Sequence, residues 1–282
     1  MTRKRILLAL VAFAALLNAL VWYAVLRERP HDLKVSVLDI GQGDAILIES
    51  PTGNQMLIDG GGTREVLQRL GEEMPFYDHS IDVVMETHPD KDHIGGLPLV
   101  LSAYQVGAFM EPGIESDTKI DDELEKDVDA DHVHRVIARR GMVVHLGGGA
   151  DLSILFPDRD MSGYETNEAS IVAKLQYGAT SFLLTGDSPS NIENYLIGLD
   201  GEGLKSDVLK VGHHGSKYST SLLFAKEVDP EFAAISVGKD NSYGHPSQEA
   251  LNNLAAVGAQ IDETENEGTI HFLSDGKTVI KE

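Results

Sequence analysis

The segment from Thr87 to Gly96 holds the densest group of side chains in this sequence that could do chemistry. Two imidazoles and two carboxylates fall within six residues, at His88, Asp90, Asp92 and His93. Imidazole nitrogens and carboxylate oxygens are ligands for zinc, manganese and iron in proteins. An apolar run ends just before Pro89, and Gly95-Gly96 follows, which predicts a strand leading into a loop. We therefore interpret this segment as a metal-binding loop, the alternative being a charged surface turn.

Apolar runs on either side of the loop predict the elements that position it. Strands are predicted from alternating or continuous apolar residues at Leu33–Val37, Ala45–Glu49, Gln55–Ile58, Ile81–Thr87, Ser170–Tyr177, Ser181–Thr185, Asp207–Val211, Phe232–Val237, Thr269–Leu273 and Thr278–Ile280. Helical spacing is found at Thr63–Glu73, Ser190–Leu199, Ser221–Val228 and Ser247–Ala256. Strand-rich halves with helices between them predict an α/β fold in which two packed sheets are flanked by helices.

Two of the predicted hairpins resemble each other. Pro51-Thr52-Gly53-Asn54 forms the turn of the first and Gly178-Ala179-Thr180 the turn of the second. The first hairpin ends in Leu57-Ile58-Asp59-Gly60, and the second ends in Leu184-Thr185-Gly186-Asp187. Each hairpin therefore leads to an aspartate. This faint internal repeat does not by itself indicate a function.

The composition limits the classes of function. The 282 residues are 42% hydrophobic, which is enough for a substantial core, and they suit one large α/β domain. The absence of cysteine excludes disulfides, thiolate metal ligands and a cysteine nucleophile. The net charge of −22 argues against a broad basic surface of the kind that grips nucleic acid tightly.

The acidity is partly concentrated between Glu115 and Asp131, where nine carboxylates accompany only Lys119 and Lys126. We interpret this stretch as a solvated surface insertion. The alternative is a calcium-binding loop, but the Asp-x-Asp-x-Asp-Gly spacing of an EF-hand is absent.

The N-terminus predicts a membrane anchor. The run Ile6–Leu26 is uncharged and apolar, is interrupted only by Asn18, and is about the ~20 residues needed to cross a bilayer. Basic residues at positions 3–5 precede it, and Trp22-Tyr23 suits a membrane interface. We therefore expect residues 1–29 to form a single-pass anchor, residues 27–32 a linker with Pro30 marking the break, and residues 30–282 an extracytoplasmic domain. A cleaved signal peptide is the alternative.

The metal-binding loop resembles the His-x-His-x-Asp-His signature of hydrolases with the metallo-β-lactamase fold. It is more similar to the His-x-Asp-x-Asp-His-x-Gly-Gly form of the soluble domain of ComEC DNA-uptake proteins. The similarity covers most of residues 33–273 and extends to five further segments, Leu38–Ala45, Leu57–Gly61, Leu183–Asp187, Leu209–Ser216 and Tyr243–Pro246. It implies an αββα sandwich that binds one or two ions of Zn²⁺ or Mn²⁺.

The resemblance also implies roles for individual residues. The expected metal ligands are His88, Asp90, Asp92, His93, Asp187, His213 and His245, and the expected catalytic residues are Asp92, Asp187 and His214. Asp187 corresponds to the carboxylate that bridges two metals. One of His213 and His214 faces the site, and the other either does so too or serves only packing. Asp59 and Asp39 are expected to support the loop, although capping of the turn at Gly41–Gly43 is an equal alternative for Asp39.

Two departures from the wider fold affect the expected metal. Asp90 stands where histidine is usual, and the third-motif region offers Asn167 in place of a histidine. More oxygen and less nitrogen at one position makes manganese plausible beside zinc, and a single ion remains an alternative to two.

The sequence is less specific about three polar residues near the expected site and about six further histidines. Contact with phosphate is one reading of Lys210, Ser216 and Lys217, but a surface position is favoured for them. Six histidines are expected to lie away from the chemistry: His31, His79, His132, His134, His145 and His271. The sequence around His132 and His134 reads as helical, where these two would not face each other.

The expected function is hydrolysis of phosphodiesters by metal-bound hydroxide, with DNA or another phosphodiester as substrate. Hydrolysis of a small or wall-linked ester, such as a phosphocholine ester, lactone or thioester, is the main alternative, which the acidic composition favours. A binding module with a degenerate site is a third reading. The sequence names no protein partner.

Overall fold

A computed structural model describes residues 3–27, 32–130, 132–239 and 241–282, with the side chains of residues 24–27 left aside. Residues 28–31 of the predicted linker, including Pro30 and His31, lie outside the described residues. Helix α1 (Arg3–Arg27) comes first. Over Arg3–Tyr23 it is long and apolar enough to cross a membrane, with a mean hydropathy of 2.3, and the side chains described for it are exposed.

The first half of the chain forms most of an eight-stranded sheet, which the two last strands complete. Its spatial order is β15-β14-β1-β2-β3-β4-β5-β6. The strands are β1 (Leu33–Val37), β2 (Ile46–Glu49), β3 (Gln55–Ile58), β4 (Ser80–Met85), β5 (Gln105–Glu111), β6 (His134–Ile137), β14 (Ile270–Ser274) and β15 (Val279–Lys281). Strands β3 to β6 run parallel to one another.

The second half forms a seven-stranded sheet with the order β13-β12-β11-β10-β9-β8-β7. Its strands are β7 (Val143–Gly147), β8 (Ala150–Phe156), β9 (Val172–Tyr177), β10 (Thr180–Leu184), β11 (Val208–Lys210), β12 (Phe232–Ile235) and β13 (Gln260–Glu263). Strands β10 to β13 are parallel. Each sheet thus contains an antiparallel hairpin followed by parallel strands, which gives the faint sequence repeat a structural counterpart.

The remaining α-helices are α2 (Glu65–Glu73), α3 (Lys91–Ile94), α4 (Leu97–Ala103), α5 (Lys119–Ala130), α6 (Ser190–Asp200), α7 (Leu222–Val228), α8 (Gln248–Ala256) and α9 (Thr264–Glu267). Short 3₁₀ turns cover Thr166–Ala169, Gly201–Leu204 and Gly212–Gly215. Helices α7 and α8 begin where predicted, because Ser221 and Ser247 each accept a hydrogen bond from a backbone N–H of the first turn.

Three apolar clusters hold these layers together. The largest lies between the two sheets and includes the edge-to-face pair Phe182 and Phe272. A second cluster joins the first sheet to helices α2, α4 and α5, and a third joins the second sheet to helices α6, α7 and α8. The two packed sheets with helices on both outer sides confirm the predicted αββα sandwich.

The acidic stretch differs from its prediction. Residues 119–130 form helix α5, and Asp121, Leu124 and Val128 of this helix are buried. Apolar residues at a spacing of four allow the helix to pack on the sheet while most carboxylates face outward. The stretch is thus a surface helix with one buried side, which the interpretation as a solvated surface insertion did not include.

The helical reading of His132 and His134 was wrong. The helix ends at Ala130, His132 adopts a left-handed conformation with φ of 52°, and His134 begins strand β6. The run of acidic residues concealed this boundary. Strands β5 to β8 and β13 were not predicted, because several of them are short or carry charged residues.

Candidate metal centre

The candidate site lies where the parallel strands of both sheets end. Strand β3 ends just before Asp59 and strand β4 ends just before Glu86-Thr87-His88. In the second sheet, β10 is followed by Asp187 and β11 by the His213-His214 turn. Because the carboxyl ends of parallel strands share one edge, residues distant in sequence meet there.

The metal-binding loop and the second sheet are in direct proximity across this edge. His93 Nε2 lies 3.3 Å from Asp187 Oδ1. His214 Nε2 lies 3.4 Å from Asp92 Oδ2 and 3.6 Å from Asp187 Oδ2. The imidazole rings of His88 and His93 are 4.1 Å apart between their centroids. The expected first-sheet and second-sheet residues therefore form one cluster.

Four sets of three residues bring one ligand atom each to within 4.8 Å of the others. These sets are His88–His93–Asp187, Asp92–His93–His214, Asp44–Asp187–His214 and Asp44–Asp59–His93. The sets overlap, so the site offers room for one ion or for two neighbouring ions. The prediction of a histidine and aspartate cluster that could hold metal is confirmed.

Hydrogen bonds on the far side of each ring fix which nitrogen faces the cluster. His93 Nδ1 donates to Asp59 Oδ2 at 2.8 Å, and His214 Nδ1 donates to the carbonyl of Ser236 at 2.9 Å. Thr87 Oγ1 donates to Asp59 at 2.7 Å and therefore accepts from His88 Nδ1 at 3.0 Å. In the neutral rings, each Nε2 then keeps its lone pair free for a metal.

The free atoms are the test of whether these residues fit a metal. His88 Nε2, His93 Nε2, His214 Nε2 and Asp187 Oδ1 are buried and have no hydrogen-bond partner. Buried polar atoms without partners are rare because each loses its hydration without compensation. Several such atoms, all of them metal-ligand types and close together, fit a bound cation.

The charges of the cluster are strongly coupled. Burial alone would raise the pKa of Asp187, but the neighbouring imidazoles of His214 and His93 hold it well below its usual range. Burial alone would lower the pKa of His214, yet the charge of Asp187 and the contacts with Asp44 and Asp92 raise it to about 9. Without an ion, protons on imidazoles balance the carboxylates, and a metal would replace those protons.

His88 responds to its surroundings in the opposite direction. Burial, followed by the repulsion of a charged His93, lowers the pKa of His88. The pKa of His245 is lowered by burial and then by His213 and His214. Both imidazoles are therefore held in the neutral form in which histidine binds metal.

The consecutive residues His213 and His214 both reach the site. Their φ angles are 49° and 53°, the left-handed region that non-glycine residues rarely adopt. His213 Nε2 lies 3.6 Å from Asp187 Oδ2, and His214 contacts the same carboxylate from a more buried position. Both side chains therefore lie beside the Asp187 carboxylate.

Three of the expected site residues lie at the margin of the cluster. Asp90 Oδ2 is 3.8 Å from His88 Nε2, and the His245 ring centroid is 5.6 Å from that of His213. Among the described residues, none of the sets within 4.8 Å includes Asp90, His213 or His245. Asn167 Oδ1 is buried and has no hydrogen-bond partner.

The supporting aspartates have different partners. Asp59 is fully buried and accepts hydrogen bonds from the backbone and side chain of Thr87 and from His93, as expected of a residue that holds the loop. Asp39 instead accepts a bond of 3.4 Å from the Gly41 backbone and pairs with Arg69. The capping alternative therefore describes Asp39.

The three suggested phosphate contacts separate into two groups. Lys210 is buried and donates to Asp44 Oδ2 at 2.7 Å, so neither its expected surface position nor a phosphate contact is correct. Ser216 is also buried. Lys217 is exposed, with its ammonium 5.0 Å from the ring of Tyr218, and stays available to a ligand.

Asp44 is the site residue that sequence reasoning missed. It belongs to two of the four ligand sets and is buried. It was present in the Gly41-Gln42-Gly43-Asp44 motif that carries part of the resemblance. The glycines of this motif predict only a turn, whereas the aspartate after them lies next to His214.

The bystander histidines have partners elsewhere. His145 pairs with Asp151, His271 Nδ1 lies 3.0 Å from Ser36 Oγ, and the ring of His79 is near Tyr104. None of those described belongs to a ligand set, whereas His31 falls outside the described residues.

This arrangement of strand-end ligands agrees with comparison to known proteins. Residues 38–239 match the metallo-beta-lactamase superfamily. The chain belongs to this superfamily. Its fold is similar to that of Igni18, a metallo hydrolase from the archaeon Ignicoccus hospitalis, with a TM-score of 0.53 and 17% sequence identity over 85% of this chain and 98% of the other. At this identity the likeness shows the fold alone.

Two curated relatives are competence proteins. ComE operon protein 3 of Bacillus subtilis is 32% identical over 257 residues, which cover 85% of this chain and 33% of that protein. Competence protein ComA of Neisseria gonorrhoeae is 29% identical over 247 residues, which cover 86% and 32%. These confirm the expected ComEC-like relationship. The chain spans about a third of the length of these relatives.

Proposed function

We propose that this chain is a metal-dependent phosphodiesterase, with DNA as the first substrate to test. The observation that carries the proposal is the set of unpartnered, buried atoms of His88, His93 and Asp187, which lie within 4.8 Å of one another. When bound there, zinc or manganese supplies a water whose pKa is lowered to about 7, a nucleophile at neutral pH.

Each residue of the cluster has a proposed task. The metal-holding residues are His88, Asp90, Asp92, His93, Asp187, His213 and His245. Asp187 has contacts on both oxygens, with His93 on one side and His213 and His214 on the other, so both oxygens would be available to hold metal. Asp92 and Asp187 would orient the attacking water, and His214 would act beside them through the Nε2 lone pair that faces both carboxylates.

The relatives support the choice of substrate. They are competence proteins similar to this chain over most of its length. DNA handling by this chain is a proposal, because it spans only about a third of each relative. The net charge of −22 leads us to expect weak, salt-sensitive binding of DNA, so assays belong at low ionic strength.

The same charge favours a second candidate, hydrolysis of a small or wall-linked ester. A small neutral ester, lactone or thioester would not be repelled by an acidic surface as a polyanion is. The cluster would act on either kind of substrate. The two candidates therefore differ in substrate and share the metal.

A further part of the proposal is the topology. Residues 1–29 would anchor the chain with residues 1–5 in the cytoplasm, and residues 30–282 would lie outside the membrane. The support is the apolar helix at Arg3–Tyr23, which begins with the basic residues at positions 3–5. Protease added to intact cells, or to spheroplasts, should digest the domain. Protection until lysis would overturn this orientation.

The decisive assay uses the purified full chain, stripped of metal and reloaded with zinc or manganese. Bis(p-nitrophenyl) phosphate, single-stranded DNA and double-stranded DNA test the first candidate, and a lactone and a thioester test the second. We expect metal-dependent cleavage of phosphodiesters that Asp92→Ala nearly abolishes.

Equal trace cleavage by wild type and Asp92→Ala would identify a contaminant. Cleavage of the lactone or thioester with every phosphodiester intact would refute the phosphodiesterase and support the second candidate. Absence of metal binding, with no stabilisation by zinc or manganese, would leave a degenerate site and refute both.

A further inference from the structure

A buried ion pair lies directly beneath the candidate metal centre. The side chains of Lys210 and Asp44 are 1% and 2% exposed, and Lys210 Nζ donates to Asp44 Oδ2 at 2.7 Å. Lys210 is the one buried lysine among the described residues. A buried charge is costly unless it is paired, and the Asp44 carboxylate is the group that pairs with the Lys210 ammonium.

The backbone of Asp44 holds the metal-binding loop of the first sheet. Its N–H donates to the carbonyl of Asp92 at 3.2 Å, and its carbonyl accepts from Gly61 N–H at 2.8 Å. Gly43 permits this approach, because a Cβ there would lie 2.0 Å from the Asp92 carbonyl oxygen. The position of Asp92 therefore depends on the segment that carries Asp44.

The side chain of Asp44 faces the second sheet. Asp44 Oδ1 has no hydrogen-bond partner and lies 3.4 Å from His214 Nδ1. The same nitrogen donates to the carbonyl of Ser236, whose hydroxyl donates back to the carbonyl of Gly43. One short segment thus contacts both Asp92 and His214, whose Oδ2 and Nε2 atoms are 3.4 Å apart in the cluster.

We propose that Asp44 is a positioning residue that joins the two halves of the site, and that Lys210 holds its carboxylate in place. Asp44 Oδ1, 3.4 Å from His214 Nδ1, favours the tautomer with a proton on that nitrogen, which leaves the Nε2 lone pair directed at Asp92 and Asp187. Lys210 also donates to the Val211 carbonyl, so its ammonium is held away from substrate. The inference deepens the proposed function and rests on it only for the reaction.

The test replaces both residues of the ion pair with neutral residues, so that no isolated charge is left in the core. Asp44→Asn/Lys210→Met is compared with wild type and with Asp262→Asn/Lys281→Met, which makes the same exchange in a pair whose carboxylate is 3% exposed and remote from the cluster. Asp44→Asn alone, which preserves the shape of the side chain, is measured as a second variant in case the double variant does not fold.

Two readouts are independent of catalysis. Nitrogen-15 NMR of the histidines, assigned with His214→Gln, locates the proton on the neutral His214 ring of the metal-free protein at alkaline pH. Competition with a chelator measures zinc affinity. We expect a proton on Nδ1 in wild type and in the control, a mixture of the two tautomers in the Asp44 variants, and zinc binding weakened roughly 10- to 100-fold.

An unchanged tautomer together with wild-type zinc affinity in the folded Asp44 variants would overturn the inference. Loss of bound zinc with an unchanged tautomer would also overturn it, because Asp44 would then be a direct ligand. If wild type binds zinc and shows the expected tautomer but cleaves no phosphodiester, the proposed substrate fails and the positioning role stands.

Discussion

The two hairpins β2–β3 and β9–β10 end in aspartates that occupy related positions in the two sheets but have opposite surroundings. Asp59 follows β3 and accepts hydrogen bonds from Thr87 N, Thr87 Oγ1 and His93 Nδ1. Asp187 follows β10, and its Oδ1 is buried without a partner. The aspartate that follows the hairpin therefore supports a histidine in one half and has an unpartnered oxygen in the other.

The difference shows that a carboxylate's role is decided by its neighbours' hydrogen-bond donors. Around Asp59, donors from the adjacent strand end occupy both oxygens, so the residue orients His93. Around Asp187, imidazoles approach through Nε2, and Ser170 Oγ accepts a hydrogen bond from the Asp187 backbone. The oxygens of Asp187 stay available for metal.

Asp187→Asn should have the largest effect, because it removes the anionic oxygens that contact His93, His213 and His214. We expect hydrolysis to fall by at least about 1000-fold, with most of the zinc affinity lost. Activity assays and zinc titration measure this. Asp207→Asn is the matched control, since Asp207 accepts from Ser181 N at the opposite end of β10 and β11. Wild-type zinc binding in Asp187→Asn would end its assignment as a ligand.

Asp59→Asn should weaken zinc binding roughly 100-fold without removing a ligand. The amide would donate to His93 Nδ1, which shifts the ring proton to Nε2 and blocks the nitrogen that faces the cluster. Chelator competition measures the affinity. Asp82→Asn is the control, because Asp82 also accepts a backbone N–H, from Gln55, far from the site. Equal effects from Asp59→Asn and Asp82→Asn would reduce the role of Asp59 to general stability.

Glu193 is a buried carboxylate of the second half that, like Asp59, accepts backbone hydrogen bonds. It should make the free energy of unfolding depend on pH. It accepts from Thr220 N and Ser221 N, but burial raises its pKa from 4.5 to about 7. A raised carboxyl pKa means that the folded state holds the proton more tightly. Glu193 therefore contributes its full stabilisation below the pKa that its carboxyl group has in the unfolded chain. This stabilisation decreases as the pH rises to about 7.

Urea unfolding of the metal-free chain checks this dependence. Between pH 5 and pH 7 we expect Glu193 to account for a loss of about 2 kcal/mol in the free energy of unfolding. Glu193→Gln, which cannot ionise, should remove that part of the change. If wild type and Glu193→Gln lose the same free energy over this range, the titration belongs to other groups.

Ser170→Ala should have the smallest effect. It leaves the Asp187 backbone N–H without its hydroxyl acceptor, which costs about 1 kcal/mol of stability. We expect zinc affinity to change by less than about tenfold, because the ligand oxygens remain. Thermal unfolding with and without zinc separates the two quantities, and Ser162→Ala at an exposed site is the control. A loss of zinc as large as that of Asp59→Asn would contradict the expected order.

The sequence by itself determined the elements whose signals are local. Alternation of apolar residues predicted hairpins β2–β3 and β9–β10, and serines before apolar runs predicted the starts of α7 and α8, because these signals lie within a few residues. The same locality placed His88, Asp92 and His93 on one loop. The metallo-β-lactamase fold then followed from several such segments in one order.

Only the tertiary structure decided how these residues are partnered. Lys210 and Asp44 are separated by 166 positions, so no local pattern indicated that this lysine is buried against that aspartate. The left-handed turn that directs both His213 and His214 inward is likewise held by contacts with another strand end. Periodicity shows which face of an element is apolar, but a buried polar group takes its role from donors and acceptors brought to it by the packing of the two sheets.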